Sequence, residues 1–260
     1  MAKPKVLFLD LETLPNLNEG LKVWNQLSDF PGRTLKGDIS TIICFGYKWL
    51  GENKTHCRSL WSFKEWKKDV NNDLPLVRFA HSVIKEADVL VSQNGKSFDI
   101  KLLNTRIAYY RSRGHTDLSI LPNIPHVDIK RVVKQHLYLF SNRLGHMGKF
   151  LNQGDKMKHT GWQLWVDVHG RDEKAMRKME LYCKQDVSLL EKIFKQVQGI
   201  AKDMPNLSLL SDERPACPKC GENKLNKDRK RVYRSKIVQT YICSSCGSYS
   251  QDNKNLRKPL

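Results

Sequence analysis

Short runs of apolar and β-branched residues recur along the first half of the chain, each bounded by turn-forming or charged residues. Runs of this kind predict strands, and a continuous apolar run predicts a strand that is buried on both faces. The first run, Val6 to Leu9, ends on Asp10, and the turn Gly51-Glu52-Asn53 between two later runs predicts a β-hairpin. The predicted strands are residues 6–9, 39–49, 55–61, 89–91 and 126–129.

Between and after these runs, apolar residues recur every three or four positions, which predicts amphipathic helices. One helix is predicted around residues 76–87 and another from Phe98 to about Arg113. A long, strongly periodic helix at about 173–197 follows a predicted loop at 154–170. Strands that alternate with helices in this order predict an α/β fold in which helices flank a mixed sheet.

The length and composition indicate how many domains the chain can form and what kind of partner it binds. With 260 residues and 40% hydrophobic content, the chain can form one good-sized domain and one small one. No apolar stretch approaches the roughly 18 residues of a membrane span, and no secretion signal is evident, so we expect a cytoplasmic location. The formal net charge of +18 favours a polyanionic partner, most simply nucleic acid, over the alternative of a generically basic protein.

Four of the seven cysteines form two Cys-x-x-Cys pairs near the C-terminus. Cys217 and Cys220 are separated by 22 residues from Cys243 and Cys246, and a glycine follows each pair. Two such turns can place four thiolates about 2.3 Å from a tetrahedral Zn²⁺. The spacing therefore predicts one structural zinc ion in a zinc ribbon.

Basic and aromatic residues alternate between the two cysteine pairs, where segments 229–236 and 238–242 predict a β-hairpin. We expect Arg231 and Arg234 to contact phosphates and Tyr233 to stack on the bases of a single strand. The alternative is a solvated basic hairpin that serves only to hold the zinc site.

These features divide the chain into four segments. Residues 1–204 form the predicted α/β domain, and residues 205–216, which contain two prolines and several Ser and Asn, form a linker. Residues 217–250 form the zinc ribbon, and residues 251–260 form a basic tail.

Acidic residues occur in three segments: at the end of a predicted strand, at the start of a predicted helix and on one face of another predicted helix. Asp10 and Glu12 are two apart at a strand end and point to the same face, Asp99 opens a helix, and Tyr182 and Asp186 are four apart on one helix face. Each has an ordinary explanation by itself: solvated strand-end acids, an acid favoured by the helix dipole, and an exposed Tyr–Asp pair. Together they would supply the carboxylate ligands that Mg²⁺ or Mn²⁺ prefers.

In this order and spacing, the three segments resemble the motifs of the DEDD (DnaQ-like) 3′→5′ exonucleases, which have a ribonuclease H-like fold. The matching motifs are Asp10-Leu11-Glu12-Thr13, Asn94-x-x-x-Phe98-Asp99 and Tyr182-x-x-x-Asp186, and the resemblance covers about residues 5–200. Tyr182 marks the tyrosine-type (DEDDy) arrangement, because the histidine type would have His at the position of Leu181. Within this superfamily, the chain resembles stand-alone phage and bacterial relatives of the proofreading domains of family-B DNA polymerases.

The resemblance implies a 3′→5′ exonuclease that hydrolyses DNA, at single-stranded ends, and releases nucleoside 5′-monophosphates. It implies two Mg²⁺ or Mn²⁺ ions: Asp10 bridges both, Glu12 and Asp186 complete one coordination sphere, and Asp99 supports the other. Tyr182 would orient the attacking water.

The resemblance further implies that Thr13, Asn94 and Phe98 position the terminal nucleotide. Lys156 and His159, in the loop before the third motif, are interpreted as solvated residues. Asp128 is left outside the catalytic set.

Alternatives stay open at this point. The same site would serve an exoribonuclease, because tolerance of the 2′-OH depends on the shape of the pocket, or a structure-specific endonuclease. A non-catalytic adaptor that binds nucleic acid through the ribbon is a third alternative, against which the complete set of acids and Tyr182 argues. Polymerase or replication proteins are the implied protein partners, a membrane is not, and a phage-encoded protein would act in the host cytoplasm.

Overall fold

The computed structural model describes residues 4–14, 40–69, 71–202, 204–211, 214–252 and 254–256 and centres on a five-stranded mixed sheet. The strands are β1 (Val6–Leu14), β2 (Thr41–Trp49), β3 (His56–Ser59), β4 (Val89–Ser92) and β5 (His126–Asp128). Their order is β3-β2-β1-β4-β5. The pairs β1–β2 and β2–β3 are antiparallel, whereas β1–β4 and β4–β5 are parallel.

Helices cover both faces of this sheet. They are α1 (Leu74–Lys85), α2 (Asp99–Arg111), α3 (Ile129–His136), α4 (Leu144–Phe150), α5 (Gln163–His169) and α6 (Glu173–Val197). Leu7 and Leu9 of β1 belong to a core cluster with α1 and α2, and Val6 and Phe8 belong to a second cluster with α3, α4 and the C-terminal half of α6. This layering confirms the predicted α/β class and the ribonuclease H-like architecture.

The long helix α6 lies against the face of the sheet that carries the even-numbered residues of β1. The rings of Phe8 and Phe194 meet edge to face, with their centroids 5.3 Å apart. The helix lies close to the sheet at Gly46, which pairs with Asp10 across the β1–β2 ladder. A Cβ atom at Gly46 would lie 2.7 Å from Cys183 Sγ, so a larger residue would push the helix away from the sheet.

The first strand is longer than its apolar run predicts. β1 continues through Asp10 and Glu12 to Leu14, because β2 supplies a hydrogen-bonding partner along its whole length. The β4 strand leaves β1 after the Phe8–Val91 pair, so the two acids lie beyond the end of β4 although they remain inside β1.

Most of the other predicted elements are confirmed, with one correction. The hairpin β2–β3, the strands β4 and β5, and the helices α1, α2 and α6 lie close to their predicted positions. The predicted loop at 154–170 instead contains α5, whose Leu164 and Val168 are buried in the core. Two buried positions in a seven-residue helix are too few to show helical periodicity. Among the helices that the structure describes, none is long and apolar enough to cross a membrane.

A second, antiparallel sheet follows near the C-terminus. It consists of β6 (Leu225–Val232), β7 (Ile237–Cys243) and β8 (Tyr249–Gln251). The pair β6–β7 confirms the predicted hairpin, whereas β8 is too short to predict from its pattern. Before this sheet, a 3₁₀ turn at Leu207–Leu210 buries Leu207, whose N–H donates to the carbonyl oxygen of Pro218 at 2.9 Å. Residues 253 and 257–260 of the predicted basic tail lie outside the described residues.

A charged pair is buried between α1 and α2. Asp73 and Arg106 are 0% and 1% exposed and form a salt bridge. The Asp73 carboxylate also accepts bonds from the Tyr110 hydroxyl and from the Ile42 N–H, both at 2.7 Å. The pair therefore joins both helices to the edge of β2.

We predict that Asp73→Ala lowers the free energy of unfolding by about 3–5 kcal/mol, because it leaves the Arg106 charge buried without a partner. Urea denaturation followed by circular dichroism measures this loss. Asp117→Ala is the matched control, since the Asp117–Arg78 pair is exposed to solvent, and it should leave the midpoint nearly unchanged. Equal losses in the two variants would contradict the prediction.

Candidate metal centre

Asp10, Glu12 and Asp186 come together where α6 crosses β1. One oxygen from each carboxylate lies within 4.8 Å of those of the other two. From Phe8 to Glu12 the strand advances about 13 Å, and from Phe194 back to Asp186 the helix advances about 12 Å. The Phe8–Phe194 contact therefore brings Asp186 level with the two acids of the strand.

Two oxygen atoms of this cluster have no hydrogen-bond partner within the part of the chain that the structure describes. They are Asp10 Oδ2 and Asp186 Oδ1, and both are buried. Buried polar atoms without a partner are rare because they are costly. Carboxylate oxygens in this arrangement are the ligands that hard divalent cations prefer, so the cluster fits such a cation.

Asp99 lies at the first residue of α2 and is held against β1 by a backbone hydrogen bond. Its Oδ1 accepts the N–H of Leu11 at 2.9 Å. Leu11 lies beyond the last pair between β1 and β4, so the carboxylate satisfies a donor for which β4 offers no acceptor. This bond places Asp99 beside the segment from Asp10 to Glu12, although, among the described residues, the group of mutually close carboxylates does not include it.

Burial raises the pKa of all four carboxyl groups and is the largest cause in each case. Neighbouring carboxylates add to the rise at Asp10, Glu12 and Asp99, whereas Lys156 acts to lower the pKa of Asp186. Burial together with the nearby Asp186 carboxylate raises the pKa of Glu12 to about 8. Burial raises the pKa of Asp99 to about 7, although the Leu11 N–H acts to lower it. A bound cation would remove this repulsion, so the electrostatics of the cluster favour cation binding.

The turn from Asn94 to Gly95 joins β4 to α2 and so sets the position of Asp99. Asn94 has a left-handed backbone, with φ of +68°, and its N–H donates to Asp128 Oδ1 at 3.0 Å. Gly95 donates its N–H to Ser92 Oγ at 3.1 Å, and a Cβ atom at Gly95 would lie 2.2 Å from that oxygen. Asp128 therefore holds the turn in place, and only glycine fits beside Ser92.

Tyr182 lies one helical turn before Asp186, in an aromatic group with His159 and Trp165. Its ring centroid is 5.0 Å from that of His159 and 6.3 Å from that of Trp165. Trp165 Nε1 donates to the carbonyl oxygen of Thr13 at 3.1 Å, which connects this group to the end of β1. Burial, with the Asp186 and Glu12 charges, raises the pKa of Tyr182, so its hydroxyl stays protonated and can donate a hydrogen bond.

The interpretation of Lys156 and His159 as solvated loop residues is wrong. Lys156 Nζ forms a salt bridge with Asp186 Oδ2 at 2.5 Å and lies 4.7 Å from the centroid of the Tyr182 ring. Burial acts to lower the pKa of Lys156, but Asp186 and Tyr182 together raise it above its ordinary value, so the side chain stays charged. No local pattern in the sequence shows which element this loop folds against.

A cleft of about 460 Å³ opens at the acids. The residues that line it include Asp10 and Asp186 and the cationic side chains of Lys130, Arg143 and Lys156. Of the residues predicted to position a terminal nucleotide, Asn94 lines the cleft, whereas Thr13 and Phe98 do not. Lys130 Nζ donates to Asn94 Oδ1 at 3.2 Å. The cleft therefore combines carboxylates with cations that can contact phosphates.

The sulfur atoms of the two Cys-x-x-Cys pairs all lie within 4.8 Å of one another. Two of the sulfur–sulfur distances, Cys217–Cys246 and Cys220–Cys243, are 3.7 Å. Four thiolates about 2.3 Å from a tetrahedral zinc ion would be separated by about 3.8 Å. The glycine after each pair has a positive φ and closes the turn with a backbone hydrogen bond. The residues therefore fit a structural zinc ion.

The basic hairpin presents its predicted contact residues to solvent. Arg231 and Tyr233 line a depression of about 320 Å³ together with Tyr249 of β8. The guanidinium carbon of Arg231 lies 5.6 Å from the centroid of the Tyr249 ring. Arg234 is exposed in the connection between β6 and β7 and lies outside this depression. Tyr249 was not predicted, because it lies on a strand that the pattern does not show.

A family model described as the RNase_H superfamily (RNase_H_2) matches residues 29–198 of the chain. The match includes Asn94, Asp99, Tyr182 and Asp186, but it begins after β1 and ends before the ribbon. No curated protein matches the chain.

The raised pKa values predict a linked dependence of stability on pH and metal. Without metal, the folded protein keeps protons on Glu12 and Asp99 that the unfolded chain releases, so the free energy of unfolding should fall as the pH rises from about 4.5 to about 8. Metal ligands must be deprotonated, so added Mg²⁺ or Mn²⁺ should raise the melting temperature more near pH 8 than near pH 6.

Differential scanning fluorimetry with and without metal measures both effects. Glu12→Gln removes a ligand and a titrating group, so the pH dependence and the metal-induced shift should both become smaller. Metal-induced shifts that are independent of pH, or unchanged in Glu12→Gln, would contradict the prediction.

Proposed function

Because this chain belongs to the RNase_H superfamily, we propose that it is a divalent-metal-dependent nuclease that removes nucleotides from the 3′ end of DNA. The superfamily fold indicates a nuclease with a nucleic-acid substrate. The observation that carries the proposal is the convergence of Asp10, Glu12 and Asp186 with two buried oxygen atoms that have no partner among the described residues. The 3′→5′ direction and the preference for single-stranded DNA ends rest on the resemblance of the three motifs to those of the DEDDy exonucleases.

The donor set supports two Mg²⁺ or Mn²⁺ ions as cofactors. Asp10, Glu12 and Asp186 would hold one ion, and Asp10 and Asp99 would hold the other. Such a pair stabilises the attacking and leaving oxygens of a phosphoryl displacement and lowers the pKa of the attacking water.

The chain's own residues would then orient the reacting groups. The protonated hydroxyl of Tyr182 can donate a hydrogen bond to the attacking water. Water adds to phosphorus, the bond to the 3′ oxygen of the preceding nucleotide breaks, and that oxygen takes up a proton as a nucleoside 5′-monophosphate is released. Lys156 supplies a positive charge beside Asp186, and Lys130 and Arg143 supply charges that attract the phosphates of the strand.

The ribbon would extend the binding surface beyond the cleft. Its four cysteines would hold one structural Zn²⁺, and the zinc would supply much of the folding free energy of residues 217–250. Residues 1–204 would form the catalytic domain, 205–216 the connection and 251–260 the tail. A polymerase whose misincorporated nucleotides the nuclease removes is the protein partner that this activity implies.

We expect Asp186→Asn to lower the cleavage rate by about a thousandfold, because a catalytic cation contributes several kcal/mol to the transition state. The assay follows 5′-labelled single- and double-stranded DNA and RNA with Mg²⁺ or Mn²⁺ on a denaturing gel. Glu173→Gln is the matched control, because it removes an exposed carboxylate from the same helix, and its rate should equal that of the wild type.

The gel also separates the proposed activity from its alternatives. A ladder that shortens progressively from the 3′ end supports the exonuclease, whereas discrete internal cuts indicate an endonuclease and cleavage of RNA alone indicates an exoribonuclease. Absence of any cleavage by the wild type would favour the non-catalytic adaptor. Full activity of Asp186→Asn would contradict the assignment of the site.

We further predict that replacing Arg231 and Arg234 together with Ala weakens binding of long single strands through lost phosphate contacts. The slope of log K against log salt concentration should fall by about 1 for each residue. Fluorescence anisotropy over a series of salt concentrations measures the slope. The control replaces Lys67 and Lys85, two exposed cations of the α/β domain, and should leave the slope unchanged. Equal slopes in the two double variants would indicate that the basic hairpin makes no phosphate contacts and serves only to hold the zinc site.

A further inference from the structure

Two aromatic residues of the segment between α3 and α4 are almost fully exposed. Tyr138 and Phe140 expose 96% and 97% of their surface, more than any other large hydrophobic residue in the described part of the chain. Exposed apolar side chains are common singly, but a pair of exposed rings beside a cleft indicates a binding surface.

The same segment is anchored by the residues that alternate with these rings. Leu137 and Leu139 pack against the core cluster that also contains α3 and α4. Leu137 has an extended backbone, with φ of −124° and ψ of 147°, and alternate side chains of extended backbone point in opposite directions. The two leucines therefore hold the segment on the core while Tyr138 and Phe140 project into solvent.

The segment that carries the rings leads into the cleft. Asn142 and Arg143, two and three residues after Phe140, line the cleft together with Asp10 and Asp186. The carbonyl oxygen of Asn142 accepts a bond from Gln93 Nε2 at 2.8 Å, which fixes the segment to the end of β4. Because consecutive Cα atoms are about 3.8 Å apart, the Cα atom of Phe140 lies no more than about 7.6 Å from that of Asn142.

The charged residues in the stretch of sequence around the rings have one sign. Residues 129–150 contain five Lys and Arg and no Asp or Glu, although acidic residues make up 27 of the 260 residues of the chain. Lys130, Arg131 and Lys134 lie exposed on α3, four to eight residues before Tyr138, and Arg143 lies exposed three residues after Phe140. Aromatic rings set among cations suit unpaired bases and their phosphates, whereas the bases of a duplex are already stacked on each other.

We propose that residues 137–143, here named the aromatic segment, form a stacking platform for the unpaired bases of a strand whose end lies in the cleft. Tyr138 and Phe140 stack on bases, and Lys134 and Arg143 contact phosphates. The inference rests on the proposed function for its substrate, and it names the residues that would hold the unpaired bases near the cleaved end.

The test separates base stacking from charge. Wild type and the double variant Tyr138→Ala/Phe140→Ala are titrated, without added divalent metal, into a labelled single strand of about twelve nucleotides and an abasic strand of equal length. Stacking predicts that the wild type binds the base-bearing strand about five-fold or more tightly than the abasic strand. The double variant should bind the two strands almost equally.

Ile120→Ala is the matched control, because it removes another exposed apolar side chain, from a segment that does not line the catalytic cleft. It should keep the wild-type preference for bases. The melting temperatures of all variants should agree, because none of the three side chains is packed in the core.

The outcomes distinguish the platform from the nuclease. A double variant that keeps the preference for bases, an equal loss of affinity for both strands, or a wild type without a preference would each overturn the platform. Binding is measured without cleavage, so a wild type that prefers bases but hydrolyses no DNA with Mg²⁺ or Mn²⁺ would reject the nuclease and still support the platform.

Discussion

The packing of α6 against β1 is the interaction on which the candidate metal centre depends. Apolar side chains meet at one end of this contact, as in the Phe8–Phe194 pair, and carboxylates meet at the other, where Asp186 faces Asp10. The change from apolar to acidic occurs at the same level in the strand and in the helix. Burial of the apolar halves is favourable by itself, and the stiffness of both elements then brings the acids together. The lack of a Cβ atom at Gly46 allows the close approach.

This arrangement places like charges together at a cost to the stability of the fold. The pKa of every carboxyl group in the cluster is raised, which means that the ionised site is unfavourable without a cation. The Leu11 N–H and the Lys156 ammonium offset part of this repulsion. The extended core on both faces of the sheet supplies the stability that holds the acids in place. A bound cation would restore part of the folding stability that the buried carboxylates cost.

The helix that carries the candidate site also ends against the four-cysteine turns of the C-terminal segment. A Cβ atom at Gly199, just after α6, would lie 2.3 Å from the carbonyl oxygen of Cys246. Lys219 Nζ, between two of the cysteines, donates to the carbonyl oxygen of Ala201 at 2.5 Å. The cysteine turns are thus packed on the end of the element that positions Tyr182 and Asp186. The four-cysteine turns and the helix that carries Asp186 therefore share one contact, which gives the ribbon a fixed position relative to the cleft.

Local spacing was enough to predict the α/β class, the pairing of Asp10 with Glu12 on one face and the four clustered cysteines, because periodicity and tight turns depend on neighbouring residues alone. Residues brought to the site by loops could not be predicted in this way. Lys156 meets Asp186 across 30 positions of sequence, and nothing beside Lys156 in the chain indicates that contact. The exposure of Tyr138 likewise depends on a tertiary contact, because it is set by where the adjacent leucines pack against the core. The sequence by itself therefore determined which faces the elements present, whereas the tertiary structure decided which loops complete the site, because a loop takes its position from distant elements against which it packs.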